Sequence, residues 1–210
     1  MDLDPFAELL TCPGVTEELV LRSRFGFLAF HGGALEEVTD VVASRAAASS
    51  GSSYYGVLHP EGLDVHLPSI QIGPAGSTTL ARFLDHVEVT VAVHGYGRKA
   101  LWTSLLAGGS NRRLAEHVAG HLGPALPGYE VITDLDAIPD GLRGLHRRNP
   151  VNLPRHGGVQ LELPPRVRGR SPFAPPAGPD GLSPPTRSLI DALASAARSW
   201  TPHGAPRQGP

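Results

Sequence analysis

The chain has 210 residues, and its 18 basic and 20 acidic side chains leave a formal net charge of only −2. This near balance argues against a protein that binds nucleic acid or membranes through its overall charge. Glycine (25) and proline (21) are abundant, but 40% of the residues are hydrophobic, which excludes a wholly disordered polar chain. The single cysteine excludes a fold held together by intrachain disulfides.

Segments of apolar and amphipathic character alternate along the chain. Strands are predicted at residues 25–30, 54–58, 63–67, 87–93, 129–133 and 159–163. Helices are predicted at residues 34–49, 78–83, 110–122 and 186–200. Strands separated by helices predict an α/β fold with a mainly parallel or mixed central sheet flanked by helices.

Proline is concentrated near the C-terminus, where 11 of the 21 prolines lie between Pro164 and Pro210. We therefore expect one α/β domain over residues 1–170 and a proline-rich extension over 171–210 that carries the helix near 186–200. The N-terminus lacks the basic segment and apolar core of a signal peptide, and no run of about 18 apolar residues occurs. A soluble cytoplasmic protein without membrane spans is the expectation.

Two of the predicted strands end in the same dipeptide, His31-Gly32 after FGFLAF and His94-Gly95 after VEVTVAV. Ligands of open parallel sheets bind beyond the carboxyl ends of the strands, so both imidazoles are expected at one edge. Glu36, in the first turn or so of the next predicted helix, can reach the same edge. Two imidazoles and a carboxylate form the ligand set of an open zinc site. Two buried histidines and a helix-start acid are the alternative, but the repeated pattern favours a metal.

Glu162 is the only acid between residues 141 and 170, a stretch that contains seven arginines. It lies in the predicted strand 159–163, where Gln160 and Glu162 share one face. A glutamate beside a metal can take the proton of the water that hydrolyses a substrate. The alternative is a solvent-facing residue paired with an arginine.

Four blocks follow one another in a fixed order: HGGALE at 31–36, DVH at 64–66, VHG at 93–95, and NPVNLPR at 149–155 followed by GVQLE at 158–162. With these blocks, residues 27–168 resemble the poly-γ-glutamate hydrolase family of phages and bacilli. Members of that family are zinc enzymes with an α/β fold like that of metallocarboxypeptidases and aminoacylases. The resemblance therefore implies a zinc-dependent hydrolase that cleaves γ-glutamyl amide bonds in an anionic polypeptide or a small amide.

The resemblance also implies a role for individual residues. It makes His31, Glu36 and His94 the ligands of Zn²⁺, and Glu162 the general base or acid. His66, in the second block, is also assigned to the catalytic residues. It is open whether His66 is a fourth ligand, a proton donor, a residue behind the ligands or an ordinary loop histidine.

Arginine is the expected substrate-binding residue, because poly-γ-glutamate carries a free α-carboxylate on every residue and arginine binds carboxylates through two parallel hydrogen bonds. Arg155 comes first, since it matches an arginine position in the family. The other expected binding residues are Arg112, Asn149, Asn152 and Arg166, with Arg147, Arg148 and Arg168 as further candidates in the same basic stretch.

Departures from the family pattern bear mainly on substrate binding. Family members tend to have glycine where Ala34 stands and asparagine where Pro154 stands, and Pro154 removes a side-chain donor next to Arg155. The pair Asn111-Arg112 is similar to the Asn-Arg pair with which metallocarboxypeptidases hold a terminal carboxylate. For Asn111, a helix N-cap is the alternative.

Other functions remain open on the sequence alone. The basic stretch 141–170 is also compatible with a nucleic-acid-binding or phage replication accessory protein, although it has few aromatic residues to stack on bases. A related hydrolase acting on a peptidoglycan γ-glutamyl bond or an acylated amino acid is a second alternative. A non-catalytic relative is a third, and the intact His31, Glu36, His94 and Glu162 argue against it.

Overall fold

A computed structural model describes residues 4–201 of the chain. Within this range, seven strands form one sheet in the order β1-β3-β2-β4-β7-β5-β6. The strands are β1 (Thr16–Val20), β2 (Phe25–Gly33), β3 (Ser53–His59), β4 (Val89–Gly95), β5 (Ser104–Ala107), β6 (Glu130–Ile132) and β7 (Gly158–Leu163). The sequence of the last ten residues predicts a frayed end, and apart from Thr201 these residues lie outside the described range.

The centre of the sheet is parallel and its flanks are mixed. Strands β3, β2, β4 and β7 run parallel to one another, whereas β1 pairs antiparallel with β3 and β5 pairs antiparallel with β7. The predicted α/β fold with a mixed central sheet is confirmed. Because β2, β4 and β7 are parallel neighbours, their carboxyl ends lie together at one edge of the sheet.

Five α-helices of the described range cover the two faces of the sheet. They are α1 (Pro5–Leu10), α2 (Thr39–Ser50), α3 (Thr78–His86), α4 (Arg112–Ala125) and α5 (Pro184–Ser199). Helices α2, α4 and α5 share a core with the residues of one face, such as Val91 and Leu161. Helices α1 and α3 pack on the other face, against Leu28 and Ala92. No helix among residues 4–201 is long and apolar enough to cross a membrane.

Some of the strands predicted from the sequence differ from those in the structure. The strand predicted at 63–67 is wrong, because this segment is largely exposed and has no regular structure. Residues 63–67 could not pair with strand β2 in any case, because β2 is already paired with β3 on one side and with β4 on the other. The edge strand β1 and the four-residue strand β5 were not predicted. Strand β1 has apolar residues only at Leu19 and Val20, so it lacks the alternation typical of a half-buried strand.

The C-terminal helix is part of the core. Leu189 and Leu193 of α5 are buried in the same cluster as residues of α2 and α4. The proline-rich segment between β7 and α5 contains no helix or strand over residues 164–183. It carries the chain from the sheet to the position where α5 covers α2 and α4.

Candidate metal centre

His31 lies near the end of β2, at an irregularity of the strand. The β2–β3 register shifts between Ala29 and Gly32, so that Phe30 and His31 form a β-bulge. Bulges redirect side chains and are common beside active sites. The imidazole is buried, and its Nε2 lies 2.9 Å from the carbonyl oxygen of Leu67. A carbonyl only accepts hydrogen bonds, so Nε2 is the protonated nitrogen and Nδ1 faces Glu36, at 2.9 Å from Oε1.

Glu36 lies in a tight turn before α2, not in the helix predicted from residue 34. Its amide donates to the carbonyl oxygen of His31 at 2.7 Å, and its own carbonyl accepts from the amide and the hydroxyl of Thr39. Val38 has a φ of 77°, a left-handed conformation that is rare and strained for a β-branched residue, and it ends the turn. The turn folds the Glu36 carboxylate back over His31, which a continuous helix would not do.

His94 lies beside this carboxylate, on the neighbouring strand β4. Its Nδ1 is 3.5 Å from Oε2 of Glu36, and the amide of Gly95 donates to the same oxygen at 2.8 Å. The imidazole is 3% exposed, and its buried Nε2 has no hydrogen-bond partner among the described residues. One carboxylate therefore bridges two histidines at the ends of two parallel strands, as the sequence pattern predicted.

His66 completes the cluster from the loop after β3. Its Nε2 lies 3.5 Å from Oε1 of Glu36, and about half of its side chain is exposed. Ligand atoms of His31, Glu36 and His66 lie within 4.8 Å of one another, a group that could hold a metal ion. His94 lies next to the second oxygen of the same carboxylate. The structure thus brings all four predicted residues together without deciding among the proposed ligand sets.

The charges of the cluster favour a cation. Burial lowers the pKa of His31, which disfavours the imidazolium form that would donate from both ring nitrogens. Because Leu67 and Glu36 both present acceptor oxygens to the ring, Nδ1 and Oε1 of Glu36 share either a proton or a metal cation. Burial alone would raise the pKa of Glu36, but hydrogen bonds with His31, His66 and His94 outweigh it and lower this pKa well below its ordinary value. Imidazole nitrogens and a charged carboxylate oxygen are the donors that Zn²⁺ prefers, so the residues fit this ion.

Glu162 faces the cluster from β7, where it pairs in register with His94. Its side chain is 4% exposed, and burial raises the pKa of Glu162 to about 7. Its Oε1 accepts a hydrogen bond of 2.8 Å from Nε2 of Gln160. The alternative of a solvent-facing glutamate paired with arginine is therefore wrong. Glu162 lines a cavity of about 780 Å³, here called the central cavity, together with His31, Glu36, His66 and His94.

Asn149 also lines the central cavity, but its side chain makes hydrogen bonds to other residues of the protein. Its Nδ2 donates to Oε1 of Gln160 at 2.7 Å, and its Oδ1 accepts from the amide of Val151 at 3.2 Å. Asn149 thus holds Gln160, which in turn holds Glu162. Gln160 was not among the predicted site residues, although its position on the Glu162 face of the strand indicated it.

Arg155, the first predicted substrate ligand, lies away from the centre. It is exposed in the turn before β7, and the amide of the next residue, His156, donates to the carbonyl of Glu88 at the start of β4. This is the amino end of both strands, whereas His94 and Glu162 lie near the carboxyl ends. A residue that precedes a strand lies at the edge opposite to one that follows it, and Arg155 is accordingly not brought to the cavity.

Arg112 is also absent from the cavity lining. Its guanidinium donates to the backbone carbonyls of Ala107, Gly109 and Thr133, which ties the start of α4 to the ends of β5 and β6. Asn111 is the N-cap of α4, and its side chain accepts from the amide of Leu114 at 2.9 Å. Asn111 and Arg112 therefore make local structural contacts, and they are not placed to hold a substrate carboxylate as the Asn-Arg pair of metallocarboxypeptidases does.

Asn152 and Arg166 are likewise placed outside the lining of the central cavity. The Asn152 amide donates to the carbonyls of Gly144 and His146, and its oxygen accepts from the amide of Ser110. It therefore fastens the loop that forms one wall of the cavity. Arg166 is half-buried. Burial raises the pKa of Tyr129, and the charge of Arg166 partly offsets this rise.

Two other arginines lie closer to the centre. Arg168 packs its guanidinium against Gly95, where a β-carbon would come within 2.7 Å of Cζ, and its Nη1 donates to the carbonyl of Glu37 at 2.8 Å. Arg143 lines the central cavity, but its guanidinium donates to the Ile138 carbonyl and pairs with Asp140. Arg143 was not among the predicted binding residues.

Comparison with known proteins identifies the family. The sequence model described as poly-gamma-glutamate hydrolase matches residues 10–172, more than three-quarters of the chain. The chain belongs to this family. The resemblance inferred from the four sequence blocks is confirmed, and family and fold together support a poly-γ-glutamate hydrolase-like peptidase.

Solved structures of related proteins share the fold. A bacteriophage poly-gamma-glutamate hydrolase is 20% identical and superposes with a TM-score of 0.73 over 90% of this chain and 91% of its own. YNDL in a zinc-free apo form is 16% identical, with a TM-score of 0.67 over 88% and 90% of the two chains. At these identities the likeness establishes the architecture. No protein of curated function matches the sequence significantly.

Proposed function

We propose that this chain is a zinc-dependent amidohydrolase that cleaves γ-glutamyl amide bonds in poly-γ-glutamate or a similar anionic polypeptide. The observation that carries the proposal is the register pairing of His94 with Glu162 on adjacent parallel strands. It puts a buried carboxyl group beside a cluster of imidazoles and a carboxylate that favours a cation. Family membership supplies the substrate class.

His31, Glu36 and His94 are the proposed zinc ligands, with His66 as a fourth ligand or a proton donor. The hydrogen bond from His31 Nε2 to the Leu67 carbonyl fixes the ring and leaves Nδ1 as the ligand atom. Gly95 holds the second oxygen of Glu36. When bound, zinc acts as a Lewis acid on the substrate carbonyl and makes water acidic enough to attack near neutral pH.

Glu162 is the proposed proton carrier. It accepts a proton from the attacking water as the new carbon–oxygen bond forms, and it returns this proton to the amide nitrogen as the carbon–nitrogen bond breaks. The products are a carboxylic acid and an amine, and at neutral pH the acid gives up its proton to leave a carboxylate and an ammonium group. A pKa of about 7 suits both steps, because neither protonation state is costly near neutral pH. Gln160 and Asn149 keep the carboxyl group turned toward the cavity.

The nucleic-acid alternative has less support, because the arginines of the basic stretch do not form one surface. Arg155 lies at the amino ends of β4 and β7, whereas Arg168 packs against Gly95 at the carboxyl end. Arg143 and Arg170 pair with Asp140 and Glu37. A stretch that is basic in sequence is thus divided among different places in the fold.

The proposal is tested by elemental analysis of the purified protein combined with hydrolysis of poly-γ-glutamate, followed as release of new amino groups. We expect about one zinc per chain and activity that is lost with a chelator and restored by zinc. His31→Ala and His94→Ala should lose both zinc and activity. A protein that hydrolyses the polymer without bound metal, or that binds zinc stoichiometrically but leaves the polymer intact, would contradict the proposal.

A further inference from the structure

A second cavity adjoins the central one. This distal cavity has a volume of about 730 Å³ and is lined by residues of the loop before α3 on one side and by Arg147 and Arg148 on the other. Ile70 lines both cavities, and residues 145 and 146 of the central cavity continue directly into Arg147 and Arg148. The two cavities therefore adjoin at Ile70, and together they are here called the groove.

The far end of this groove carries positive charge. Arg147 and Arg148 are both exposed, and among residues 4–201 neither lies within salt-bridge distance of a carboxylate. Asp4 is the acid that lines the distal cavity, and its Oδ1 accepts from the amides of Phe6 and Ala7 at the start of α1. Arg147 and Arg148 differ in this respect from Arg143, whose guanidinium is already paired with Asp140.

The walls of the groove indicate which polyanion it fits. Ile70, Ile72 and Leu153 supply aliphatic surface to the distal cavity, and no Phe, Tyr or Trp of the described residues lines either cavity. Sites for single-stranded nucleic acid depend on aromatic side chains that stack on the bases. A chain of γ-linked glutamates offers methylene groups to the aliphatic walls and carboxylates to the two arginines.

We propose that the distal cavity is a substrate subsite in which Arg147 and Arg148 bind the α-carboxylates of γ-glutamyl residues remote from the scissile bond. The enzyme then selects long chains over short oligomers, because only a long chain spans both cavities. This proposal rests on the proposed function for the identity of the polymer. It assigns recognition to arginines at the carboxyl side of the sheet, in place of Arg155.

The test compares Arg147→Ala/Arg148→Ala with Arg113→Ala/Arg198→Ala. The second pair removes the same charge from exposed positions on α4 and α5, which pack on the other face of the sheet. On long poly-γ-glutamate, we expect the first pair to raise KM about tenfold at low salt with little change in kcat. On γ-linked diglutamate it should change neither constant. The control pair should change neither constant on either substrate.

Binding gives a second measurement that does not need turnover. In a Glu162→Gln background, long poly-γ-glutamate should bind about tenfold more weakly after the double alanine substitution, and the difference should shrink as salt rises. Arg147→Lys/Arg148→Lys should recover much of the affinity. Equal effects on long and short substrates, an effect of the control pair of the same size, or equally tight binding of single-stranded DNA would overturn the proposal.

The two proposals fail in different ways. If wild-type protein hydrolyses the polymer and its KM is independent of Arg147 and Arg148, the subsite is wrong and the activity stands. If the polymer binds in an arginine-dependent manner but is never cleaved, the subsite stands and the proposed activity is wrong. Thermal unfolding of each variant verifies that the substitutions leave the fold intact.

Discussion

Nε2 of Gln160 lies 2.8 Å from Oε1 of Glu162, two residues further along β7 and on the same face of the strand. Burial raises the pKa of Glu162 to about 7, and the hydrogen bond from Gln160 acts in the opposite direction because it favours the charged carboxylate. Asn149 fixes Gln160 from the other side. The protonation state of the proposed base thus depends in part on two neutral amides that do not titrate themselves.

The pH dependence of hydrolysis should reflect this arrangement. A general base acts only when deprotonated, so kcat/KM is expected to rise with pH through an apparent pKa near 7. Gln160→Met removes the donor at similar volume, and it should move this limb to higher pH because the charged form loses a hydrogen bond. The measurement is steady-state kinetics from about pH 5 to about pH 9, which covers roughly two pH units on each side of the expected apparent pKa. An unchanged profile would show that Gln160 does not tune Glu162.

Substitution of the base itself should separate catalysis from metal binding. Glu162→Gln keeps the size of the side chain and a partner for Gln160, but a neutral amide does not accept a proton. We expect kcat to fall by roughly 10²–10⁴-fold. Zinc content, measured by elemental analysis, should stay at the wild-type value. A variant that keeps its turnover would remove Glu162 from the mechanism.

The histidine variants should distinguish ligands from other residues of the cluster. His31→Ala and His94→Ala each remove a nitrogen donor, so both proteins should lose stoichiometric zinc. If His66 is a fourth ligand, His66→Ala should weaken zinc binding in a chelator competition; if it is a proton donor, zinc should be retained while kcat falls. His156→Ala is the control, because His156 is exposed at the opposite edge of the sheet. Loss of zinc from this control would indicate a general effect on folding.

Asn152 and Arg155 offer a direct comparison between a structural contact and a predicted substrate contact. Asn152→Ala removes two donated hydrogen bonds and one accepted one, so we expect a loss of about 1–3 kcal/mol in the free energy of unfolding. Arg155→Ala lies on the surface and should stay within about 0.5 kcal/mol of wild type, with unchanged KM. Urea denaturation and steady-state kinetics decide. A raised KM for the Arg155 variant would restore it as a substrate ligand.

The C-terminal helix α5 should contribute substantially to stability, although the segment that precedes it is rich in proline and has no regular structure. We propose that residues 1–170 form the hydrolase domain and residues 171–210 its extension, with α5 completing the core of one face. Leu193 is 1% exposed, so Leu193→Ala should cost roughly 2–5 kcal/mol of unfolding free energy. Asp191→Ala, on the exposed side of the same helix, is the control and should change stability by less than about 0.5 kcal/mol. Equal unfolding midpoints for the two variants would argue against this role.

The sequence by itself predicted much of the fold and the residues that the structure brings together at the candidate centre. Apolar, β-branched runs predicted the parallel strands β2, β4 and β7, because strand formation depends on the local pattern of side chains. The position of His31 and His94 directly at the ends of two such strands predicted their convergence, since parallel neighbours end at the same edge. The lone acid on β7 indicated Glu162 in the same way.

Contacts between distant segments were decided only by the tertiary structure. The turn before α2, with its strained Val38, directs Glu36, and a loop without periodicity brings His66 to it. Asn149 and Asn152 were predicted to bind substrate, but their side chains make hydrogen bonds within the protein that hold the walls of the site in place. The place of Arg155 follows from which end of β7 it adjoins, and the groove of Arg147 and Arg148 follows from how two loops meet across Ile70. Sequence patterns report local preference, whereas these relationships depend on strand order and on the paths of the connecting loops.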